Sequence, residues 1–310
     1  MDAGPDFDFL RYIERRRRAT GLGESGEGYA FSGDLAVLRT MRKIKPVEIA
    51  VGSTVRLWKN IEKNNLLGGA VRVSENQFPK IHKLTRTCAE RLGIQAPTVY
   101  VLPALDQLNA MTFGTDDDAF VLINSATVDH MSDDELLFII GHECGHVQNN
   151  HVVYKTALYY LTRMASVFVA WIVTPAVIAL NGWSRRAEIT CDRAGLLCCR
   201  SLDAGTRALV KFAVGSQKLY KEINLEEYLR QLDDGRDGIG RYSELLHTHP
   251  YVPKRVEALR LFAQSSVFLE AMGEGGGLPK DDVDRRVAEL VAVIGQGKKK
   301  AVETGSNDAG

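Results

Sequence analysis

Short runs of hydrophobic residues separated by polar residues mark the first strands of the chain. From Val71 the pattern predicts a strand, then a helix over about 75–92, then a strand over Thr98–Leu102. Residues 119–124 form another apolar run, bounded by three aspartates and by Ser125, and this run also predicts a strand. A few short strands among longer helical stretches predict a mostly helical α+β fold with a small β-sheet.

A helix is predicted directly after these strands. Ser132 and Glu135 have the spacing of a capping box, and an apolar turn at 136–140 follows them. We expect this helix to end near Val153. At the far end of the chain, a helix over about Pro279–Ile294 precedes a polar tail whose composition predicts disorder.

The helix that begins at the capping box contains His-Glu-Cys-Gly-His at 142–146. His142 and His146 are four residues apart, so they lie about 40° apart on one helix face and can reach one ion. Glu143 projects next to that face, where it can take a proton from a metal-activated water. This is the H-E-x-x-H signature of zinc peptidases. The alternative is an ordinary buried helix, and the capping box favours the metal site.

A catalytic zinc usually has three protein ligands, so a third ligand must lie elsewhere in the chain. Glu188 is the best candidate, because the helical segment around it carries Asp192 one turn later. In this arrangement Glu188 binds the ion and Asp192 accepts the free N–H of a ligating histidine. The alternative is an exposed helix whose acids pair with the nearby Arg185, Arg186 and Arg193.

Three elements in this order resemble one family of enzymes: H-E-C-G-H at 142–146, E-I-T-C-D at 188–192, and His249-Pro250 followed by Arg255. Over about residues 75–265 the chain is similar to the HtpX-like and CaaX prenyl endopeptidase-type zinc metallopeptidases, a gluzincin group. The resemblance implies a zincin-like catalytic domain with a small β-sheet whose edge strand borders the active-site cleft.

The resemblance also implies a role for each matching residue. Seven positions match the active site of the family: His142, Glu143, His146, Glu188, Asp192, His249 and Arg255. The two histidines of the first element and the glutamate of the second would bind one Zn²⁺ per chain. The glutamate of the first element would be the general base, and the aspartate of the second would support a ligand. The last two residues would be catalytic residues lining the cleft opposite the metal.

The residues themselves leave other roles open for the later histidines. His249 precedes Pro250 on a turn, where it could donate to the oxyanion, bind the metal in a closed resting state, or bond its own backbone. Arg255 could pair only with Glu257 or another surface acid. His151 follows the metal motif by five residues, and we expect it on a helix surface.

The predicted strand at 119–124 suggests how a substrate binds. In related enzymes a strand upstream of the metal helix borders the cleft, and an extended peptide can pair with such a strand by strand addition. The substrate-binding residues are then predicted to be Val121, Leu122, Ile123 and Asn124. The alternative is an interior strand with no free edge.

The segment 157–180 is apolar, with Arg163 as its single charge. Because His146 and Glu188 would bind one ion, each arm of a hairpin between them has only about 15 residues, or roughly 22 Å of helix. That length is short of the ~30 Å hydrocarbon core of a bilayer, which argues against two full spans. The hairpin could instead dip into one leaflet, anchored by Trp171 and Trp183, pack within the protein, or bind a partner.

These elements divide the chain into four parts. We expect a basic helix and Gly-rich linker at 1–33, a helical extension at 34–70, the metallopeptidase domain at 71–267 with its apolar hairpin at about 154–183, and a C-terminal helix and tail at 268–310.

Composition adds little to this division but limits the class of function. The chain has 310 residues and a formal net charge of zero, with 39 basic and 39 acidic residues, so nothing predicts nucleic acid binding. Five cysteines without a C-x-x-C pair predict no disulfide framework and favour a reducing compartment. No secretory signal is predicted, which suggests the cytoplasm, with the inner face of a membrane as an alternative through the apolar segment.

The sequence therefore predicts a zinc metalloendopeptidase that hydrolyses polypeptides, with protein quality control as the role that the resemblance favours. A latent or non-catalytic zinc-binding protein with chaperone-like activity shares every motif and stays open. A helical scaffold without metal is the third hypothesis.

Overall fold

The computed structural model describes residues 28–41, 47, 51–52, 68–115, 118–164, 167–234 and 249–292. Its helices and strands, in chain order, are α1 Ser32–Met41, β1 Val71–Arg72, α2 Pro79–Leu92, β2 Thr98–Leu102, β3 Ala110–Thr115, β4 Asp118–Asn124, α3 Ser125–His130, α4 Asp133–Gln148, α5 Val152–Met164, α6 Val167–Cys199, α7 Leu202–Val214, α8 Gln217–Tyr220, α9 Leu225–Asp234, α10 Val252–Ala263, α11 Ser266–Ala271 and α12 Lys280–Val291. The prediction of a mostly helical α+β fold is confirmed.

The four strands form one mixed sheet in the order β1-β2-β4-β3. β2 and β4 are parallel, whereas β1 pairs with β2 and β3 pairs with β4 in antiparallel fashion. The strands predicted at Val71, at Thr98–Leu102 and at 119–124 are confirmed. β3 was not predicted, because the polar and small residues in Ala110–Thr115 obscure its alternation.

Helix α4 begins at the predicted capping box. The Ser132 side chain accepts from the backbone N–H of Glu135, and the Glu135 carboxylate accepts from the backbone N–H of Ser132. The helix ends at Gln148, five residues before the expected end, because Asn150 has a left-handed backbone with φ of 58°. α5 then starts in a new direction at Val152.

Helices α4 and α6 pack against each other through glycines. A Cβ on Gly141 would lie 2.5 Å from the Cβ of Cys198, and one on Gly145 would lie 2.8 Å from the Cβ of Ala194. On the opposite helix, a Cβ on Gly195 would lie 2.6 Å from the carbonyl oxygen of Phe138. The lack of side chains at these positions lets the two backbones approach closely.

The apolar segment at 157–180 lies on α5 and the first half of α6. Its buried residues pack with α1 and with Val47 and Val51 in one hydrophobic cluster: Ala157, Leu158, Ala176 and Leu180. Trp183 is buried and donates its indole N–H to Asp34, which fits the alternative that the segment packs within the protein; the side chain of Trp171 lies outside the described residues. Among the helices described, none is both long enough and apolar enough to span a bilayer.

Several predicted segments lie at the ends of the chain. The C-terminal helix is observed as α12, within the expected range of Pro279–Ile294. The basic helix and most of the Gly-rich linker at 1–27, and the tail at 293–310, lie outside the described residues. All five cysteines are buried and free.

The glycine-mediated contact between α4 and α6 predicts a large effect of one methyl group. Gly195→Ala should lower the free energy of unfolding by about 1–3 kcal/mol, because the helices must separate to accommodate the Cβ. Gly182→Ala on the same helix is the matched control, since its Cβ would meet only the Arg185 Nη2 at 3.8 Å. This control should gain up to about 1 kcal/mol from helix propensity. Urea unfolding that gave both variants the same stability would contradict the close helix contact.

The capping glutamate predicts a pH-dependent stability. Burial raises the pKa of Glu135, but hydrogen bonds from Lys211, the Ser132 backbone and Arg207 outweigh it and lower the pKa below its ordinary value of 4.5. The ionised carboxylate therefore stabilises the fold at neutral pH, and this contribution is lost as the pH falls through the lowered pKa.

Glu135→Gln keeps the size of the capping side chain and removes its charge. It should lower the free energy of unfolding by about 1–3 kcal/mol at pH 7, and the difference from wild type should shrink in acid. Ser132→Ala, which removes the other half of the cap, should cost about 1 kcal/mol with little dependence on pH. Denaturant unfolding at several pH values measures both, and a constant difference for Glu135→Gln would refute the assignment.

Candidate metal centre

Two histidines of α4 and one glutamate of α6 meet at the contact between these helices. His142 Nε2 lies 3.4 Å from Glu188 Oε2, and His146 Nε2 lies 3.5 Å from Glu188 Oε1. Two ligands of a tetrahedral zinc ion, each about 2.0–2.1 Å from it, lie about 3.3–3.4 Å apart. The measured separations therefore fit donor atoms that share one ion.

Asp192 orients the first of these histidines. His142 Nδ1 lies 3.0 Å from Asp192 Oδ1, so the Nδ1 proton is donated to the carboxylate and Nε2 is left to face Glu188. Arg255 holds the same carboxylate with two hydrogen bonds, from Nε at 2.8 Å and from Nη2 at 2.6 Å. Glu257, which was an alternative partner for this arginine, pairs with Arg260.

Glu143 lines the same cavity as these groups. Its Oε2 accepts a hydrogen bond of 2.6 Å from the hydroxyl of Thr112 on β3, which fixes the carboxylate. The cavity has a volume of about 500 Å³ and is lined by His142, Glu143, His146, Glu188 and His249 together with apolar residues. Thr112 carries no sequence signal for this role, because the contact depends on how β3 packs on α4.

Basic side chains surround Glu188. Lys155 Nζ lies 2.7 Å from Glu188 Oε1, and His249 Nδ1 lies 2.8 Å from Glu188 Oε2. Arg255 Nη2 lies 3.4 Å from the same oxygen as His249. The sequence analysis missed Lys155, which belongs to no motif and reaches the site only because α5 turns back beside α6.

This arrangement sets the charge of each group. Burial raises the pKa of Glu188, but the charges of His249, Lys155 and His142 outweigh it and lower the pKa well below its ordinary value. Burial lowers the pKa of His142, but hydrogen bonds with Asp192 and Glu188 outweigh it and raise the pKa to about 9. Burial and the Lys155 charge lower the pKa of His146 well below its ordinary value. Glu188 is thus an ionised carboxylate and His146 a neutral imidazole, as metal ligands must be, whereas His142 carries a proton that it would have to release on binding a metal.

Cys191 offers a competing third donor. Its sulfur and one nitrogen of each histidine, His142 and His146, lie within 4.8 Å of one another. Burial and the negative charge of Glu188 raise the pKa of the Cys191 thiol well above its ordinary value, so the thiol keeps its proton. Cys191 would have to release this proton on binding a metal, whereas Glu188 is already ionised.

The prediction that the strand at 119–124 offers a free edge to substrate is wrong. Val121, Leu122, Ile123 and Asn124 lie in β4, which pairs with β2 on one side and with β3 on the other. No backbone edge remains there, so the alternative of an interior strand is the observed one. The strand that borders the cavity is β3, where Asn109 to Phe113 line the wall. Within the described residues no strand pairs with the other side of β3.

His151 also differs from its expectation of a helix-surface position. It lies between α4 and α5, is fully buried at 0% exposure, and contacts His146. The early end of α4 is the physical reason, because the turn at Asn150 folds the next residue back toward the metal centre.

Comparisons with family models and with curated proteins agree on one protein family. The model of peptidase family M48 matches residues 75–263. The plastoglobule-localized metallopeptidase 48 of Arabidopsis thaliana is 31% identical over 169 residues, which cover 53% of this chain and 49% of that protein. The chain thus matches about half the length of this relative.

Relatives with longer coverage agree with this family. A protease HtpX homolog of Salinibacter ruber is 26% identical over 241 residues, covering 69% of this chain and 86% of the relative. One of Streptococcus gordonii is 24% identical over 231 residues, covering 63% and 77%. No solved structure matches the chain significantly. The family match covers more than half of the sequence, and the chain belongs to peptidase family M48.

Proposed function

We propose that this protein is a zinc-dependent endopeptidase in which Glu143 is the general base. One observation carries the proposal: the two imidazole nitrogens of His142 and His146 each lie about one ligand-to-ligand distance from the carboxylate of Glu188. Glu143 opens into the same cavity. Two nitrogens and one carboxylate form a common donor set of catalytic zinc and leave a fourth position for water or substrate.

The residues of the chain divide the chemistry between them. When bound, zinc supplies Lewis-acid activation of the water and of the scissile carbonyl. Glu143 accepts the proton of the attacking water and later delivers it to the leaving amine. The hydroxyl of Thr112 holds this carboxylate in place. Arg255 acts on Asp192 and so keeps His142 in the tautomer that can bind.

The free side of β3 is the place where we expect the substrate backbone. Gly114 donates its N–H to Thr156 and Asn109 accepts from Asn124 of β4, so the outward groups belong to alternate residues, Ala110 and Thr112. An extended peptide can pair with these groups without regard to its sequence. This mode suits unfolded polypeptides, and protein quality control is therefore the role that we propose.

His249 is the residue that distinguishes the catalytic proposal from a latent protein. Its Nδ1 lies 2.8 Å from Glu188 Oε2, and its side chain is 53% exposed. From this position it can donate to the oxyanion, or it can occupy the site and keep it closed. His249→Ala lowers casein cleavage in the first case and raises it in the second. A latent chaperone-like protein would hold unfolded casein without cleaving it.

Glu143→Gln tests the general base. The variant should keep one zinc per chain and lose cleavage of unfolded casein by about 10²–10⁴-fold, because the amide cannot accept the proton. Zinc content by elemental analysis and casein turnover measure the two effects. Glu90→Gln, an exposed glutamate on α2, is the matched control and should change neither. Wild-type cleavage by Glu143→Gln would remove the base assignment.

Glu188→Gln tests the third ligand. The neutral amide is a poor zinc ligand, so the zinc Kd from chelator competition should rise by more than 100-fold. Asp192→Asn weakens the support of His142 and the pairing with Arg255 but removes no proposed ligand, and its expected loss is about 10- to 100-fold. Equal zinc affinity of Glu188→Gln and wild type would exclude this glutamate as a ligand and return Cys191 as the candidate.

A further inference from the structure

A series of buried side chains in contact connects the metal centre with helix α1. His151 Nδ1 lies 3.1 Å from His146 Nδ1, on the side of that ring away from Glu188. His151 Nε2 lies 3.1 Å from Asp34 Oδ2 of α1. Both His151 and Asp34 have 0% exposure. None of the motifs that predict the metal centre includes either residue.

Metal binding by His146 fixes where the protons of these side chains lie, although the Cys191 sulfur, 3.6 Å from His151 Nδ1, is a second neighbour of that nitrogen. His146 Nε2 faces Glu188 and must carry a lone pair to bind a cation, so the proton of this ring is on Nδ1. His146 Nδ1 then donates to His151 Nδ1, which must be the acceptor. The proton of His151 is therefore on Nε2, which lies 3.1 Å from Asp34 Oδ2 as an electrostatic contact without the alignment of a hydrogen bond.

Asp34 is itself held in one orientation by α6. Trp183 Nε1 donates to Asp34 Oδ1 at 2.9 Å, and Thr190 Oγ1 donates to Asp34 Oδ2 at 2.7 Å. The ring of His151 packs against Trp183 with centroids 5.3 Å apart. The helix that supplies Glu188 thus also fixes the carboxylate at the far end of the chain of contacts.

We propose that Asp34 and His151 are positioning residues that together orient His146 for metal binding. This inference rests on the proposed metal site. Outer partners of a ligating imidazole set its tautomer and raise its basicity. His142 receives this support directly from Asp192, whereas His146 receives it from Asp34 through an intervening imidazole. Asp34 lies upstream of the family match at 75–263, so a segment outside the matched region completes the metal centre.

The proposal makes zinc binding and the docking of α1 mutually dependent. Asp34 improves the zinc affinity through His151, and linkage requires that zinc in turn favours the docked position of α1 by the same factor. A purely structural role for Asp34 would stabilise α1 without this reciprocity.

Zinc Kd values from chelator competition test the pathway. Asp34→Asn and His151→Phe should each raise the Kd by about 10- to 100-fold, the range for outer partners of a metal ligand. The double variant should bind zinc no more weakly than His151→Phe, because Asp34 acts through that ring. Additive losses in the double variant, or unchanged affinity in Asp34→Asn, would overturn the proposal.

Asp284→Asn is the matched control. Asp284 is also buried, and it anchors the same segment by accepting from the backbone N–H of Ser32 and by pairing with Arg193. Its contacts do not lead to His151. Asp284→Asn should therefore lower the free energy of unfolding but, as long as α1 stays docked with Asp34 in place, leave the zinc Kd within about twofold of wild type. A loss of zinc affinity equal to that of Asp34→Asn would reduce Asp34 to a docking residue.

Hydrogen exchange of the wild-type protein tests the reciprocal effect without any variant. Zinc should slow the exchange of amides in α1, residues 32–41, more than that of amides in α12, residues 280–291. Equal protection of both helices would overturn the proposal.

The zinc measurements also separate this proposal from the proposed function. If the wild-type protein binds no zinc, the proposed function fails. If Glu188→Gln loses zinc and Asp34→Asn does not, only the positioning role of Asp34 and His151 fails.

Discussion

The close contact of α4 and α6 is the constraint on which the metal centre depends. Ligands on two helices can share one ion only when the helix axes are near enough for short side chains to meet. Gly141, Gly145 and Gly195 provide this proximity by leaving no Cβ between the backbones. The sheet, α5 and α10 then pack around this pair and add Thr112, Lys155 and Arg255 from three directions. The same helix contact that forms part of the core therefore also sets the distances between the side chains of the site.

Charge balance around Glu188 follows from the same packing. A buried carboxylate is costly without partners, and here Lys155 of α5, Arg255 of α10 and the imidazole of His249 lie within 4 Å of it. Arg255 is shared with Asp192, so one guanidinium supports both acids of α6. These contacts keep the Glu188 carboxylate ionised on the wall of the cavity, which is the state that binding of a divalent cation requires.

The features that the sequence predicted are those encoded within one or two helical turns. The capping box at Ser132, the i,i+4 pair of histidines and the spacing of Glu188 and Asp192 each follow from the period of a helix, and the structure has these helices. What escaped prediction depends on contacts between distant segments. β3 has no clear alternation, and Thr112, Lys155 and Asp34 reach the site only through tertiary packing. The wrong prediction that β4 has a free edge has the same origin, because the order of strands in a sheet cannot be predicted from the residue pattern of a single strand.

The left-handed residue at Asn150 has a consequence beyond ending a helix. On an uninterrupted helix, a residue five positions after His146 would lie about 140° around the axis and face away from it. The single positive φ at this position reverses the chain and brings the imidazole of His151 back against that of His146. Asparagine and glycine adopt this backbone most readily, and β-branched residues resist it. The backbone at Asn150 therefore brings His151 to a place where it contacts both His146 and Asp34 of α1.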